Sequence, residues 1–183
     1  MGKTIFVFLA QGFEITEALG TVDVLRRAKL ETKTVSITSS LEVESSNGIT
    51  VKADMLFNEI DTNSIAALVC PGGIPGMNNL DSYKPLTDLI KKHYEEGGLI
   101  AAICAGPSIF GHLGLLEGKN AICYPGFEKE LKGATISTDA VVRDGNIITA
   151  KGMGVSLQFG LEIVRAMSGN DVARETANSA IIA

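Results

Sequence analysis

Leu99-Ile100-Ala101-Ala102-Ile103-Cys104-Ala105-Gly106-Pro107-Ser108 is the stretch from which the fold is read. It opens with an apolar run bounded by Gly98 and Gly106, with the length and character of a strand buried on both faces. Residues 107–116 then carry apolar side chains at roughly helical spacing, with Pro107 near the start, where proline fits a helix. Cys104 therefore falls at a strand-to-helix turn, and its small neighbours let the backbone approach closely. The dipole and free N–H groups of a helix N-terminus favour the thiolate, the nucleophilic form. The competing account makes Cys104 a small buried hydrophobe, the usual fate of a free cysteine. The local pattern leaves both open.

Outward from this turn the elements alternate. Strands are predicted at 5–10, 33–38 and 66–70, and helices at 15–28, 83–95, 155–167 and 171–180. A short strand at 121–123 stops at Pro125-Gly126. Asn47-Gly48, between 43–46 and 49–53, and Asp144-Gly145, between 140–143 and 146–150, are hairpin signals. The pattern implies one α/β domain over residues 1–183. It is a three-layer sandwich with a mostly parallel central sheet, helices on both faces and the hairpins as decorations.

Composition narrows the functional classes. The chain has 183 residues, a formal charge of −5 and 45% hydrophobic residues; its mean hydropathy is +0.23 and its pI about 5.1. With no basic run to replace counterions on phosphates, a nucleic-acid binder is disfavoured. Three cysteines make no disulfide framework and suit reduced thiols in the cytosol. The apolar run at 4–10 is too short for a signal core, and nothing approaches a membrane span. Met1-Gly2-Lys3-Thr4-Ile5-Phe6 starts like a myristoylation site but has Phe6 where Ser or Thr is wanted. A soluble, cytoplasmic protein is expected.

Ligands of such sheets bind beyond the carboxyl ends of the strands. That rule selects residues 11–17, 71–76, 104–107, 124–126 and 151–154. Gly72 and Gly73 can turn backbone N–H groups toward a substrate oxygen and, with the Ala105 N–H, form an oxyanion hole; a plain turn is the bland account. Glu14 and Glu17 open the first helix, where acidic residues suit the dipole. Three residues apart they share a face, so one can reach the thiol while the other caps the chain. His93, among Lys91, Lys92, Glu95 and Glu96, is placed on a solvated face, and His112 about two turns past Cys104, beyond a hydrogen bond. No spacing fits a metal site. Gly152-Met153-Gly154 lacks the third glycine and acidic partner of a dinucleotide fingerprint.

Together, Gln11-Gly12-Phe13-Glu14-Ile15-Thr16-Glu17, Pro71-Gly72-Gly73 and Ala101-Ala102-Ile103-Cys104-Ala105-Gly106-Pro107 resemble the ThiJ/PfpI superfamily, in particular its DJ-one-like branch. Lys151-Gly152-Met153-Gly154 falls where that branch has a Gly-x-Gly turn. The resemblance implies a flavodoxin-like sandwich, related to class I glutamine amidotransferases, and a homodimer. It places the nucleophile on Cys104, a protonated glutamate partner on Glu17 rather than Glu14, and the oxyanion positions on Gly72, Gly73 and Ala105. Three departures qualify it. Ala105 stands where the protease-like branch has histidine, Tyr124 where many relatives have a histidine before the proline, and Lys151 where arginine is common. A tyrosine hydroxyl donates to a carbonyl but is a poor base at neutral pH.

Two functions follow. In one, Cys104 adds to a reactive carbonyl and Glu17 moves a proton, with no cofactor, as in the glyoxalase and deglycase activities attributed to the family. In the other, the protein is an oxidative-stress sensor or chaperone with an oxidisable Cys104, and Cys123 is either a resolving thiol or core. A protease or amidase and a thiamine-pathway enzyme carry little weight. Cys70 and Cys123 are expected to react slowly.

Overall fold

Apolar runs with side chains alternating between two directions need cover on both sides, and here helices supply it. The computed structural model describes residues 3–182, so the Met1-Gly2 start lies outside the described residues. The chain runs through β1 (Thr4–Leu9), α1 (Ile15–Arg27), β2 (Thr32–Ser36), β3 (Glu42–Glu44), β4 (Thr50–Lys52), β5 (Met55–Leu56) and β6 (Ile65–Cys70). It continues through α2 (Gly76–Ser82), α3 (Lys84–Glu95), β7 (Leu99–Ile103), α4 (Pro107–His112), β8 (Asn120–Ala121) and β9 (Thr135–Ile136). It closes with β10 (Val141–Asp144), β11 (Ile147–Ala150), α5 (Ser156–Ser168) and α6 (Asn170–Ala180).

The central sheet has the order β10-β11-β7-β6-β1-β2-β5. Every pairing in it is parallel except β10 with β11. Phe6 and Phe8 of β1 face α2, α3 and α4, packing with Leu80, Leu86, Ile90 and Phe110. Ile5 and Val7 point the other way, into a second core with Val22 and Leu25 of α1 and Phe159 and Ile163 of α5. The alternation along one strand thus makes two cores and three layers.

The Asn47-Gly48 hairpin is the separate β3–β4 ribbon, as expected. The Asp144-Gly145 hairpin is no decoration. Its second arm, β11, pairs parallel with β7 and extends the main sheet. The helix expected over 107–116 ends at His112, with Gly114 in the left-handed region at φ 71°. The short α2 carries too few residues for a periodic signal.

His93 is half-buried rather than on a solvated face: its ring lies against Gly98, and its Nε2 is buried without a hydrogen-bond partner. Burial lowers its pKa. His112 instead bridges two elements, its Nδ1 2.8 Å from Asp81 of α2 and its Nε2 2.9 Å from Glu130. The carboxylates of Glu130 and Asp81 raise its pKa. A histidine with a raised folded pKa stabilises fully below its unfolded value, near ~6.5, and loses that stabilisation as pH rises through the folded value. The stability deficit of His112→Gln, measured by denaturant unfolding, should therefore be larger at mildly acidic than at alkaline pH. A deficit that grows with pH would contradict the bridge.

Candidate active site

Cys104 directly follows β7 with φ at 64°, a left-handed conformation that costs a residue with a Cβ about 1–3 kcal/mol. The surroundings fix it. The Cys104 N–H donates to Ala150 O at 2.9 Å, and the Tyr124 N–H donates to Cys104 O at 2.8 Å. Gly106 makes the turn possible, because a Cβ there would lie 2.7 Å from Cys70 O and 2.9 Å from Ile103 O. The half-buried thiol is thereby held up at the carboxyl end of the sheet.

Glu17 reaches the thiol from the first turn of α1. It is 1% exposed, and its Oε2 accepts the Gly72 N–H at 2.8 Å. Position 72 has no room for a side chain: a Cβ would sit 2.7 Å from the Cys104 Cβ and 2.8 Å from Glu17 Oε2. Burial pushes the Glu17 carboxyl up to about 7, against the Gly72 N–H, the hydrogen bond to Cys104 and the Met153 N–H, which favour its ionised form. Burial and the neighbouring carboxylate push the Cys104 thiol up to about 12, while the Ala105 and Gly73 N–H groups pull it down. The two titrate as a coupled pair, and its singly protonated form carries the proton on sulfur or on the carboxyl.

Of the three amides expected to receive a substrate oxygen, Gly73 and Ala105 bear on Cys104, whereas the Gly72 amide is committed to Glu17. Tyr124 joins the site through its main chain, with half its side chain exposed. Lys151 is exposed and borders a cleft of about 330 Å³ with Tyr124, Pro125, Gly152, Met153 and Val155. The Met153 amide is the participant that sequence reasoning missed. The rule of strand ends had marked its loop, but a backbone N–H leaves no signature in residue type. Among the described residues no group of His, Cys, Asp and Glu is arranged to hold a metal ion.

Residues 3–166 match the family model described as the DJ-1/PfpI family. The chain belongs to that family. It is 31% identical to the protein dj-1beta of Drosophila melanogaster over 185 aligned residues, covering 100% of this chain and 99% of that one. It is 35% identical to the DJ-1 homolog B of Arabidopsis thaliana, with 98% of this chain aligned. There it spans 42% of the plant protein's length, and it spans 46% of the plant homolog A. The solved structure of oxidized Toxoplasma gondii DJ-1 superposes with a TM-score of 0.95 at 30% identity, covering 100% of both chains. The DJ-1/PfpI fold is flavodoxin-like, in agreement with the sandwich expected from the sequence.

The other two thiols lack these supports. Cys70 is wholly buried and pushed up to about 12, and the buried Cys123 to about 11. Limited alkylation at neutral pH with peptide mapping should label Cys104 well ahead of both. Preferential labelling of Cys70 or Cys123 would remove Cys104 from its role.

Proposed function

We propose that this DJ-1/PfpI protein is a cysteine-dependent enzyme acting on reactive carbonyls, of glyoxalase or deglycase type. One observation carries the reading: a buried carboxyl whose proton is exchangeable near neutral pH touches a thiol set at a strained elbow. The Cys104 thiolate adds to the aldehyde carbon of an α-oxoaldehyde. The carbonyl oxygen becomes an oxyanion facing the Gly73 and Ala105 amides, and takes the Glu17 proton to give a hemithioacetal. The Glu17 carboxylate then removes the C–H proton from that carbon to give an enediolate and returns it to the adjacent carbon, while the hemithioacetal hydroxyl proton passes to the neighbouring ketone oxygen, leaving a hydroxyacyl thioester. Water hydrolyses the thioester to a hydroxy acid and the free thiol. The sum is aldehyde plus water, with no oxidant and no cofactor.

Lys151 and Tyr124 border the cleft that receives the substrate, and the Tyr124 hydroxyl positions a carbonyl. Resemblance to the family supports a homodimer, and three cysteines with no disulfide framework suit the cytoplasm. No helix among the described residues is long and apolar enough to cross a membrane. Ala105, in place of a histidine beside the nucleophile, argues against a protease. A second reading is a stress sensor or chaperone in which Cys104 is oxidised to sulfinate, held by the same two amides and the Glu17 proton. The oxidized state named for the Toxoplasma relative favours keeping it.

Turnover of methylglyoxal by purified protein in Tris-free buffer separates the two. Wild type should form the hydroxy acid, while Cys104→Ser and Glu17→Gln should not. Glu17→Gln with wild-type activity would rule out glutamate as the proton carrier, and no turnover by wild type would favour the sensor. Tyr124→Phe should cost about 0.5–1.5 kcal/mol of transition-state binding, roughly tenfold at most in kcat/KM. A loss of about 10²-fold or more with the fold intact would instead make the phenol an essential acid.

A further inference from the structure

We propose that Glu14 is a positioning residue for the Cys104–Glu17 pair, holding the shared proton on Glu17 so that the negative charge stays on sulfur. The inference rests on the site as read above, but not on which substrate it takes. Glu14 is the N-cap of α1, and its Oε2 accepts the Glu17 N–H at 2.6 Å. Its own N–H donates to Gly72 O at 2.9 Å, and the Gly72 N–H donates to Glu17 Oε2 at 2.8 Å. These three hydrogen bonds close a ring through Glu14, Gly72 and Glu17. Glu14 therefore sets both where Glu17 sits and where the amide that holds it points.

The singly protonated pair has two forms of equal net charge: carboxylate with thiol, or carboxylic acid with thiolate. The backbone does not choose between them. Two amides, from Gly72 and Met153, face the carboxyl, and two, from Gly73 and Ala105, face the sulfur. Glu17 meets Cys104 from the elbow after β7, the Gly72 N–H after β6, the Met153 N–H after β11 and Glu14 from its own helix, with no cation among them. The Glu14 charge is bonded to the first turn that carries Glu17, and it disfavours a second charge there. It breaks the balance. Moving the proton from sulfur to Glu17 carries the negative charge away from Glu14. Serine, threonine, asparagine and aspartate are the ordinary N-caps, and the first three would satisfy the helix without supplying this charge.

The test is the pH dependence of Cys104 alkylation by iodoacetamide, with thiolate ultraviolet absorbance read in parallel. Glu14→Gln and Glu14→Thr keep a cap acceptor and remove the charge, while Glu14→Asp keeps both. Glutamine and threonine should slow alkylation at neutral pH about three- to tenfold, as one screened like charge would; aspartate should stay near wild type. In a Glu17→Gln background, where no proton can be shared, the effect of Glu14→Gln should disappear. An equal slowing in both backgrounds would mean that Glu14 acts on the elbow without the shared proton, and faster alkylation would mean a direct field on sulfur; either would overturn the proposal. So would wild-type rates in both neutral-cap variants with a loss confined to Glu14→Ala, which would reduce Glu14 to a cap. Alkylation needs no carbonyl turnover, so failure of the enzymatic reading leaves this test intact.

Discussion

A carboxyl buried without a cation is the constraint on which the site depends. Ionised and unsupported, Glu17 would carry a large desolvation penalty; protonated, it needs a partner for its hydrogen. The protein surrounds it with two backbone amides and a thiol instead of a lysine or arginine. Those groups come from the ends of β6, β7 and β11, while Glu17 itself follows β1. In the sheet these four strands are consecutive neighbours, in the order β11-β7-β6-β1. The chain leaves β1 toward β2 on one side and leaves β6 toward β7 on the other, so the direction of winding reverses between β1 and β6. Glu17 and Gly72 face each other across that reversal, where open α/β sheets bind ligands. Sheet order assembles the site.

The elbow adds a second demand. A left-handed cysteine is tolerated only where neighbours leave no cheaper arrangement. Ala150 O and the Tyr124 N–H bind the two polar groups of the Cys104 backbone, and Gly106 supplies the space for the chain to turn under them. Since Ala150 ends β11, the Asp144-Gly145 hairpin matters to the chemistry despite its distance in sequence. It delivers the strand whose last carbonyl holds Cys104 and whose following turn presents Met153 to Glu17.

What was legible in the sequence follows the same division. Strands such as Ile65–Cys70 and Leu99–Ile103 were readable because burial on both faces demands unbroken apolar runs. Cys104 and Gly73 stood out by residue type or by the lack of a side chain, whereas the residues alone left Glu14 and Glu17 open and only the family resemblance singled out Glu17. The commitment of the Gly72 amide to Glu17 was not readable, since one glycine reads like the next. Nor was the participation of Met153, where any residue with an N–H would serve. The half-buried His93 was hidden by charged neighbours that point elsewhere on the helix. The role of the Asp144-Gly145 hairpin was missed because a turn signal says that two strands pair, not what their outer edge pairs with.

Three cysteines in one core also show why burial alone does not decide reactivity. All three thiols are pushed up by desolvation, and each has an acidic group acting on it: Asp81 on Cys70, Glu128 on Cys123 and Glu17 on Cys104. For Cys70 and Cys123 that carboxylate is a fixed charge that disfavours the thiolate. Glu17 differs because it is itself buried and can take up the proton that the sulfur gives away. When it does, its charge disappears and its hydroxyl becomes a donor to the thiolate it had opposed. The same residue is an obstacle to ionisation in one protonation state and a support in the other. Whether Cys104 is a nucleophile at neutral pH therefore turns on what fixes that proton, and the groups around Glu17 matter as much as those around sulfur.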